Sequence, residues 1–143
     1  MAKLKVFTDG ASRGNPGESG IGIVITDEND SVLKKWNEYL GKATNNQAEY
    51  KAIIKSLEIL KEVLSDSSTN VETIEFYADS ELMVKQLRNE YKLKNPDLKL
   101  LHGEFIKKIR EIGIKYTLHH IERALNKSAD KLANQAIDNK NSL

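Results

Sequence analysis

The stretch KLKVFTDGASRGNPGESGIGIVIT, residues 3–26, decides the architecture of this chain. Lys3 to Thr8 follows a two-residue alternation and stops at Asp9-Gly10, which predicts a strand that enters a turn. Residues 10–20 hold four of the eight glycines and one of the two prolines, and predict a turn-rich connector. Gly20 to Thr26 is apolar and β-branched, which predicts a second strand. The stretch is therefore expected to start an antiparallel sheet.

Beyond residue 26 the pattern adds one more strand and then alternates helices with strands. The third strand is predicted at Val32 to Leu40. A helix is predicted to begin at Thr44, because Gln47 follows at the spacing of a capping box. Two later strands and three later helices complete the predicted order βββαβααβα: strands at Thr73–Ala78 and Ile114–Ile121, and helical apolar positions over Leu82–Leu87, Leu98–Ile112 and Ala129–Ile137.

This order predicts an α/β fold with a five-stranded mixed sheet flanked by helices. Three strands are expected to be antiparallel, and two parallel strands to be added through helical crossovers. The chain has 143 residues, and its sequence shows neither a repeat at a fixed period nor a long linker. Residues 1–143 are therefore predicted to form a single domain.

Composition excludes several classes of function. The sequence has no cysteine, which excludes disulfides, zinc-thiolate sites and cysteine nucleophiles. The formal net charge of +1 gives no whole-chain indication of nucleic-acid binding. The sequence lacks an apolar run of the ~20 residues that span a bilayer. It also opens directly on a strand pattern without a signal-peptide core, so a cytoplasmic location is expected.

Four acidic residues lie where the pattern expects the core or the edge of the sheet. Asp9 and Asp79 each follow a predicted strand, and if those strands are neighbours the two carboxylates lie side by side. Glu49 falls on the inward face of the first long helix, and Asp130 on the apolar face of the last one. Each acid alone has a structural explanation as a turn or helix-start residue. Together, the four are expected to converge.

Converging carboxylates imply a cation. Several carboxylates in a partly dry site repel one another and raise their pKa values unless a cation screens them. Ligation by oxygen alone, without cysteine or histidine in the cluster, suits Mg²⁺ or Mn²⁺ better than zinc. Two such ions about 3.5 to 4 Å apart could activate a water and stabilise the leaving oxygen in phosphodiester cleavage.

Four acidic blocks resemble the type 1 ribonuclease H family in order and spacing: FTDGASRGNPG (7–17), TNNQAEY (44–50), YADSELM (77–83) and NKSADKLAN (126–134). The resemblance covers essentially the whole chain and implies a ribonuclease H-like fold. It further implies an endoribonuclease that hydrolyses the RNA strand of RNA/DNA hybrids with two Mg²⁺ ions, which Mn²⁺ could replace, leaving 5′-phosphate and 3′-hydroxyl ends. By resemblance, the metal-binding catalytic acids are Asp9, Glu49, Asp79 and Asp130.

The same resemblance implies a set of substrate contacts. The RNA 2′-hydroxyl is both donor and acceptor, and backbone groups and neutral amides are suited to reading it. Taken alone, the asparagines have a turn or capping explanation, and only the resemblance places them beside the hybrid. Glycine-rich loops and helix N-termini present N–H groups to phosphates. The predicted contacts are Gly10, Ala11, Ser12, Arg13, Asn15, Thr44, Asn45, Asn46 and Gln47, with Arg13 and Thr44 assigned to phosphates.

Two features depart from better-known members of this family. The segment between Arg88 and Leu101 is short, which predicts that the chain lacks the basic protrusion that grips substrate in some members. Many members also carry a flexible histidine before the last helix that assists proton transfer or product release. Here His119 and His120 fall at a strand end. His119 is interpreted as structural, and His120 and Arg123 are the auxiliary candidates.

Two other functions stay open at this stage. A nuclease of the same fold could also cut double-stranded RNA, and a non-catalytic module could bind hybrids without turnover. The acidic cluster alone does not separate these alternatives from hybrid cleavage. The predicted partner is an RNA/DNA hybrid, with neither a membrane nor an obligate protein partner, and the predicted state is a monomer.

Overall fold

A long antiparallel hairpin at the start of the chain forms the centre of the sheet. In the computed structural model, which describes residues 2–66 and 70–140, strand β1 spans Ala2–Gly14 and strand β2 spans Gly17–Asp27. Strand β3, Val32–Ala43, pairs antiparallel with β2. The predicted antiparallel start of the sheet is therefore confirmed.

The remaining elements alternate as the sequence predicts. After β3 come helix α1 (Asn45–Asp66), strand β4 (Val71–Ala78), helix α2 (Glu81–Leu87), helix α3 (Pro96–Ile112), strand β5 (Lys115–His120), a 3₁₀ turn (Arg123–Leu125) and helix α4 (Lys127–Asp138). Within residues 2–66 and 70–140, none of these helices combines the length and the apolar character that a membrane span requires.

The sheet has five strands in the order β3-β2-β1-β4-β5. Strand β4 pairs parallel with β1, and β5 pairs parallel with β4. Parallel neighbours require crossover connections, and the helices between β3 and β4 and between β4 and β5 provide them. The predicted mixed sheet of three antiparallel and two parallel strands is confirmed.

The first hairpin is longer than predicted. The sequence predicts that the first strand stops at Asp9 and that residues 10–20 form a connector. Instead, β1 continues to Gly14 and β2 begins at Gly17, with cross-strand pairing throughout this region. Small residues such as glycine and serine carry little strand preference of their own, so their pairing depends on the partner strand and not on the local pattern. Asp9 consequently lies inside β1.

The N-terminus of α1 forms the predicted capping box. The backbone N–H of Gln47 donates to Thr44 Oγ1 at 3.1 Å, and the backbone N–H of Thr44 donates to Gln47 Oε1 at 2.9 Å. These contacts satisfy N–H groups that the first turn of a helix leaves unpaired. The cap fixes where α1 starts, and therefore where Glu49 lies along it.

Replacing Thr44 with alanine is expected to lower the free energy of unfolding by about 1 kcal/mol, because the cap bond to Gln47 is lost. The melting temperature should fall by about 3 °C. Urea unfolding of Thr44→Ala beside Ser65→Ala measures the effect. Ser65 is an exposed hydroxyl in the last turn of the same helix, and it donates to the carbonyl of Glu62. Equal stabilities of the two variants would contradict the assignment.

Strand β2 presents different residues to the two faces of the sheet. Ile21, Ile23 and Ile25 belong to the same buried cluster as the inner face of α1. On the opposite face, a Cβ added to Gly22 would lie 2.0 Å from the carbonyl oxygen of Ala129 in α4. The backbones of α4 and β2 are thus in close contact, which places the N-terminal half of α4 over the centre of the sheet.

Candidate active site

Asp9 and Asp79 directly follow the last paired residues of two neighbouring parallel strands. The ladder between β1 and β4 ends at Thr8 opposite Ala78. Beyond this point β1 continues beside β2, whereas β4 ends. The two acids are therefore neighbours at the carboxyl edge of the parallel part of the sheet, where active sites of α/β folds commonly form. The predicted adjacency is correct even though Asp9 does not end its strand.

Helix α1 brings Glu49 to the same edge because it touches β1 at Gly10. A Cβ on Gly10 would lie 2.3 Å from the carbonyl carbon of Ala48, so this approach requires glycine. The backbone N–H of Gly10 donates to Glu49 Oε1. One carboxylate oxygen from each of Asp9, Glu49 and Asp79 lies within 4.8 Å of the others. Three of the four predicted acids therefore form one cluster.

The cluster is largely shielded from water. Asp9 is 5% exposed and Glu49 is 7% exposed. Burial raises the pKa of Asp9 well above its usual range, and the nearby Glu49 and Asp79 carboxylates raise it further. Burial likewise raises the pKa of Glu49, although the hydrogen bond from Gly10 and the charge of Arg123 oppose this shift. Full ionisation of the three acids is therefore unfavourable unless positive charge is added.

The donor set fits a divalent cation. Glu49 Oε2 is buried and, among the residues that the structure describes, has no hydrogen-bond partner. A buried carboxylate oxygen without a partner is costly unless it ligates a metal or is protonated. Three carboxylates that supply only oxygen ligands suit a hard divalent ion. The metal-dependent chemistry expected from the sequence therefore agrees with this cluster.

The fourth acid, Asp130, lies on the first turns of α4 and faces the same space. It lines a polar cavity of about 400 Å³ together with the other three acids. Asp130 Oδ1 accepts a hydrogen bond from Asn134 Nδ2 at 3.2 Å, and Asp130 contributes to the raised pKa of Asp9. It stands outside the three-carboxylate cluster. The remaining lining residues are Gly10, Ala11, Ser12, Asn45, Asn46, Ser80, Arg123 and Asn134.

A second polar cavity, of about 230 Å³, adjoins the first and shares Asn46 with it. It lies at the N-termini of α1 and α3, where Asn95 Oδ1 caps α3 by accepting from the backbone N–H groups of residues 97 and 98. Asn15 Oδ1 accepts from the backbone N–H of Asn45 at 3.1 Å. Of the predicted substrate contacts, this cavity gathers Asn15, Thr44, Asn46 and Gln47.

Comparison with known proteins bears on this arrangement of acids. The family model described as RNase H matches residues 1–138. The chain belongs to the ribonuclease H family. Ribonuclease HI of Halobacterium salinarum is 35% identical over an alignment of 141 residues, and the alignment covers 95% of this chain and 65% of that protein. The order of the elements and the mixed sheet are thus those of a type 1 ribonuclease H.

Two further matches show how much of each relative the ribonuclease H chain spans. A bifunctional protein of Mycobacterium tuberculosis is 35% identical over an alignment of 140 residues. The alignment covers 95% of this chain but 36% of that protein. The crystal structure of LC11-RNase H1 in complex with RNA/DNA hybrid is 40% identical with a TM-score of 0.89, covering 96% of this chain and 98% of that one. The chain therefore spans less than two thirds of the length of the Halobacterium and Mycobacterium relatives.

Within this ribonuclease H fold, the side chain of Arg13 turns to α4. Its contact with a phosphate stays a prediction. Arg13 Nη1 lies 2.7 Å from Asp138 Oδ1, and Nη2 donates to Asn134 Oδ1 at 3.3 Å. The prediction considered the chemistry of the glycine-rich segment alone. The structure pairs the guanidinium with an acid on α4, whose position depends on the tertiary fold.

The two auxiliary candidates have different surroundings. His120 ends β5, and its Nδ1 lies 3.7 Å from Glu81 Oε2, outside the acidic cavity. Arg123 lines that cavity. The neighbouring His119 stacks on Tyr77 with ring centroids 5.0 Å apart, which agrees with a structural interpretation. Of the two candidates, the structure brings Arg123 to the acids and leaves His120 at the strand end.

Two asparagines of the last acidic block contact the acids, although the sequence pattern predicts a role for neither. Asn134 donates to Asp130, and the i,i+4 spacing could have predicted this contact. Asn126 is 1% exposed and donates to Asp79. An asparagine just before a helix indicates a cap, but the Asn126 side chain makes no capping bond and turns to the sheet instead. Only the packing of α4 on the sheet reveals this contact.

Proposed function

We propose that this chain is an endoribonuclease that hydrolyses the RNA strand of RNA/DNA hybrids and leaves 5′-phosphate and 3′-hydroxyl ends. The observation that carries the proposal is the cluster of Asp9, Glu49 and Asp79, within 4.8 Å in the wall of a polar cavity. The similarity of this chain to proteins named ribonuclease HI, and to LC11-RNase H1 crystallised with RNA/DNA hybrid, supports the choice of substrate.

The proposed cofactor is Mg²⁺, as two ions held by Asp9, Glu49, Asp79 and Asp130, with Mn²⁺ as a substitute. When bound, such ions neutralise charge on the scissile phosphate and acidify a water. Because the Gly10 N–H occupies Oε1 of Glu49, Oε2 is left for ligation. The protein thus supplies the carboxylates and their orientation.

Arg123 is proposed to hold the scissile phosphate. Its guanidinium lines the cavity that contains the acids, and its charge acts on Glu49. A guanidinium forms strong charge-assisted hydrogen bonds to phosphate oxygens. In this role Arg123 orients the phosphate toward the carboxylates, whereas His120 is not in the lining of the cavity.

The RNA strand is proposed to be read by the backbone of residues 10–12 and by the amides of Asn45 and Asn46. These groups line the acidic cavity, and neutral amides suit a 2′-hydroxyl that both donates and accepts. The second cavity is proposed to take a phosphate of the hybrid, because neutral amide and hydroxyl side chains in its wall can donate hydrogen bonds to phosphate oxygens. Thr44, Asn15 and Gln47 form part of its wall.

Substrate affinity is proposed to be modest. This proposal rests on the predicted lack of a basic protrusion in the segment that joins α2 to α3, residues 88–95. Binding then depends mainly on the two cavities, and it should weaken as salt rises because phosphate contacts release counterions. We further propose that the chain acts as a monomer in the cytoplasm, both of which are predictions of the sequence alone.

Cleavage of an end-labelled RNA/DNA hybrid tests the function. RNA/RNA and DNA/DNA duplexes run beside it, each with Mg²⁺, with Mn²⁺ and with EDTA. The expected result is cutting of the hybrid's RNA strand only, with either ion and not with EDTA. Asp79→Asn should lower the rate by at least about 1,000-fold, because it removes a ligand and its charge from the site.

Asp66→Asn is the matched control, since Asp66 is an exposed acid at the far end of α1 and should leave the rate unchanged. Cutting of RNA/RNA as well would broaden the substrate class while keeping the site. Binding of hybrid without cutting in any metal would contradict the enzymatic proposal and favour a binding module.

A further inference from the structure

One buried residue connects the elements that carry three of the four acids. Asn126 lies just before α4 and is 1% exposed. Its Nδ2 donates to the carbonyl oxygen of Thr8 at 2.9 Å and to Asp79 Oδ2 at 3.3 Å. The backbone carbonyl oxygen of Asn126 accepts from the backbone N–H of Asp130 at 3.1 Å. Asn126 therefore touches the residue before Asp9, the side chain of Asp79 and the backbone of Asp130.

The chemistry of these contacts fixes the orientation of the amide. A backbone carbonyl and a carboxylate only accept hydrogen bonds, so the NH₂ group of Asn126 must face them both. Asn126 Oδ1 is then buried and, within residues 2–66 and 70–140, has no hydrogen-bond partner. A buried oxygen without a hydrogen-bond partner lowers the free energy of unfolding, and an apolar residue of similar size would not carry this cost. The amide is therefore explained by its two donor contacts and not by general stability.

We propose that Asn126 is a positioning residue for the metal site, an inference that rests on the metal-dependent function proposed above. Asp79 follows the last residue of β4, so the strand ladder does not fix its side chain. The hydrogen bond from Asn126 fixes the direction of the Asp79 carboxylate. The bond to Thr8 ties the same amide to β1, immediately before Asp9. Asn126 thereby sets the orientation of one ligand relative to another on the neighbouring strand.

The inference predicts a loss of metal affinity when the amide is removed. Outer partners that orient metal ligands typically account for a factor of roughly 10 to 100 in affinity. Calorimetric titration of Mg²⁺ and of Mn²⁺ into the full chain without substrate should show binding weaker by about that factor in Asn126→Ala. In cleavage assays kcat at low metal concentration should fall, and high Mn²⁺ should restore it. The KM for hybrid should change by less than about twofold.

Gln86→Ala is the matched control for loss of a buried amide. Gln86 is 6% exposed, its Oε1 accepts from the Tyr50 hydroxyl at 2.7 Å, and neither residue is in the lining of the acidic cavity. This variant should lose stability and keep the metal affinity of the wild type. If Asn126→Ala does not fold, Asn126→Ser takes its place. A serine hydroxyl donates a single hydrogen bond and cannot serve both Thr8 and Asp79.

A double-mutant cycle separates positioning from general damage. If Asn126 acts through Asp79, adding Asn126→Ala to Asp79→Asn should weaken Mn²⁺ binding by less than about twofold. Additive losses, or equal metal affinity in the wild type and Asn126→Ala, would overturn the inference while leaving the proposed function intact. A wild-type chain that binds neither Mg²⁺ nor Mn²⁺ would instead overturn the proposed metal-dependent function, and this inference with it.

Discussion

Asp9→Asn is expected to abolish hybrid cleavage and, at the same time, to make the metal-free protein more stable at neutral pH. The activity should fall by at least about 1,000-fold, because a ligand of the proposed ions is lost. The gain in stability has a separate cause. Burial and the neighbouring carboxylates raise the pKa of Asp9, so its ionised form is unfavourable in the folded chain.

The pH dependence follows from the direction of this shift. An unfolded aspartate has a pKa of about 3.9, and the folded value is higher. Between the two values the folded chain binds more protons than the unfolded one. The free energy of unfolding therefore falls as pH rises through this window. Asparagine does not ionise, so Asp9→Asn does not lose stability as pH rises through this window. The difference in free energy of unfolding between Asp9→Asn and the wild type should therefore be small near pH 4 and largest at neutral pH and above.

Thermal melts in EDTA from pH 4 to pH 9 measure the effect. A gain on the order of 2 kcal/mol, or about 6 °C, is expected at neutral pH for Asp9→Asn. The exposed Asp66→Asn is the control and should show no such trend. Adding Mg²⁺ should stabilise the wild type by mass action and narrow the gap, since the variant has lost a ligand. A variant that is less stable than the wild type at every pH would contradict the electrostatic account.

The parts of the fold that could be predicted from the sequence are those set by local pattern. The capping box of Thr44 and Gln47 fixes the start of α1, and helical spacing then puts Glu49 on its inward face. Asp9 and Asp79 could be placed side by side because parallel neighbours share an edge, although β1 continues past Asp9. Local periodicity, capping and strand direction were sufficient for the core of the candidate site.

The parts that could not be predicted depend on which elements meet in space. Arg13 pairs with Asp138 because α4 lies beside it, a contact that the local sequence does not predict. The extension of β1 to Gly14 depends on pairing with β2 and not on its own residues. The Asn126 side chain donates to Asp79 and does not cap the helix that follows it. In each case the local preference is weak and the tertiary contact decides.

Gly22→Ala is expected to destabilise the protein strongly, although it adds a single carbon. The added Cβ would lie 2.0 Å from the carbonyl oxygen of Ala129, 2.8 Å from the backbone nitrogen of Ala133 and 2.9 Å from Leu132 Cβ. Two of these atoms are backbone, so a side-chain rotation cannot relieve the overlap, and α4 must move away from the sheet. We expect a loss of about 3 kcal/mol or more in the free energy of unfolding, at the upper end of overpacking effects.

Gly103→Ala is the matched control. Gly103 lies within α3, and a Cβ added there meets none of the described residues within 4 Å. Since alanine is favoured over glycine inside a helix, this variant should gain roughly 0.5 to 1 kcal/mol. Urea unfolding of both variants therefore gives changes of opposite sign for the same chemical substitution. Equal changes in the free energy of unfolding would mean that the backbones of β2 and α4 are not as close as the structure places them.

The Gly22→Ala variant also tests whether the packing of α4 on β2 affects the acidic site. Asp130 is on the first turns of α4, and the other three acids are on β1, α1 and the end of β4. Moving α4 outward should shift Asp130 away from the other acids, and it should also displace Asn126, which lies just before α4 and donates to Asp79. Folded Gly22→Ala, kept below its melting temperature, should therefore bind Mn²⁺ more weakly and cleave hybrid more slowly than the wild type. Normal cleavage by a folded but destabilised variant would show that the position of Asp130 is not required for the reaction.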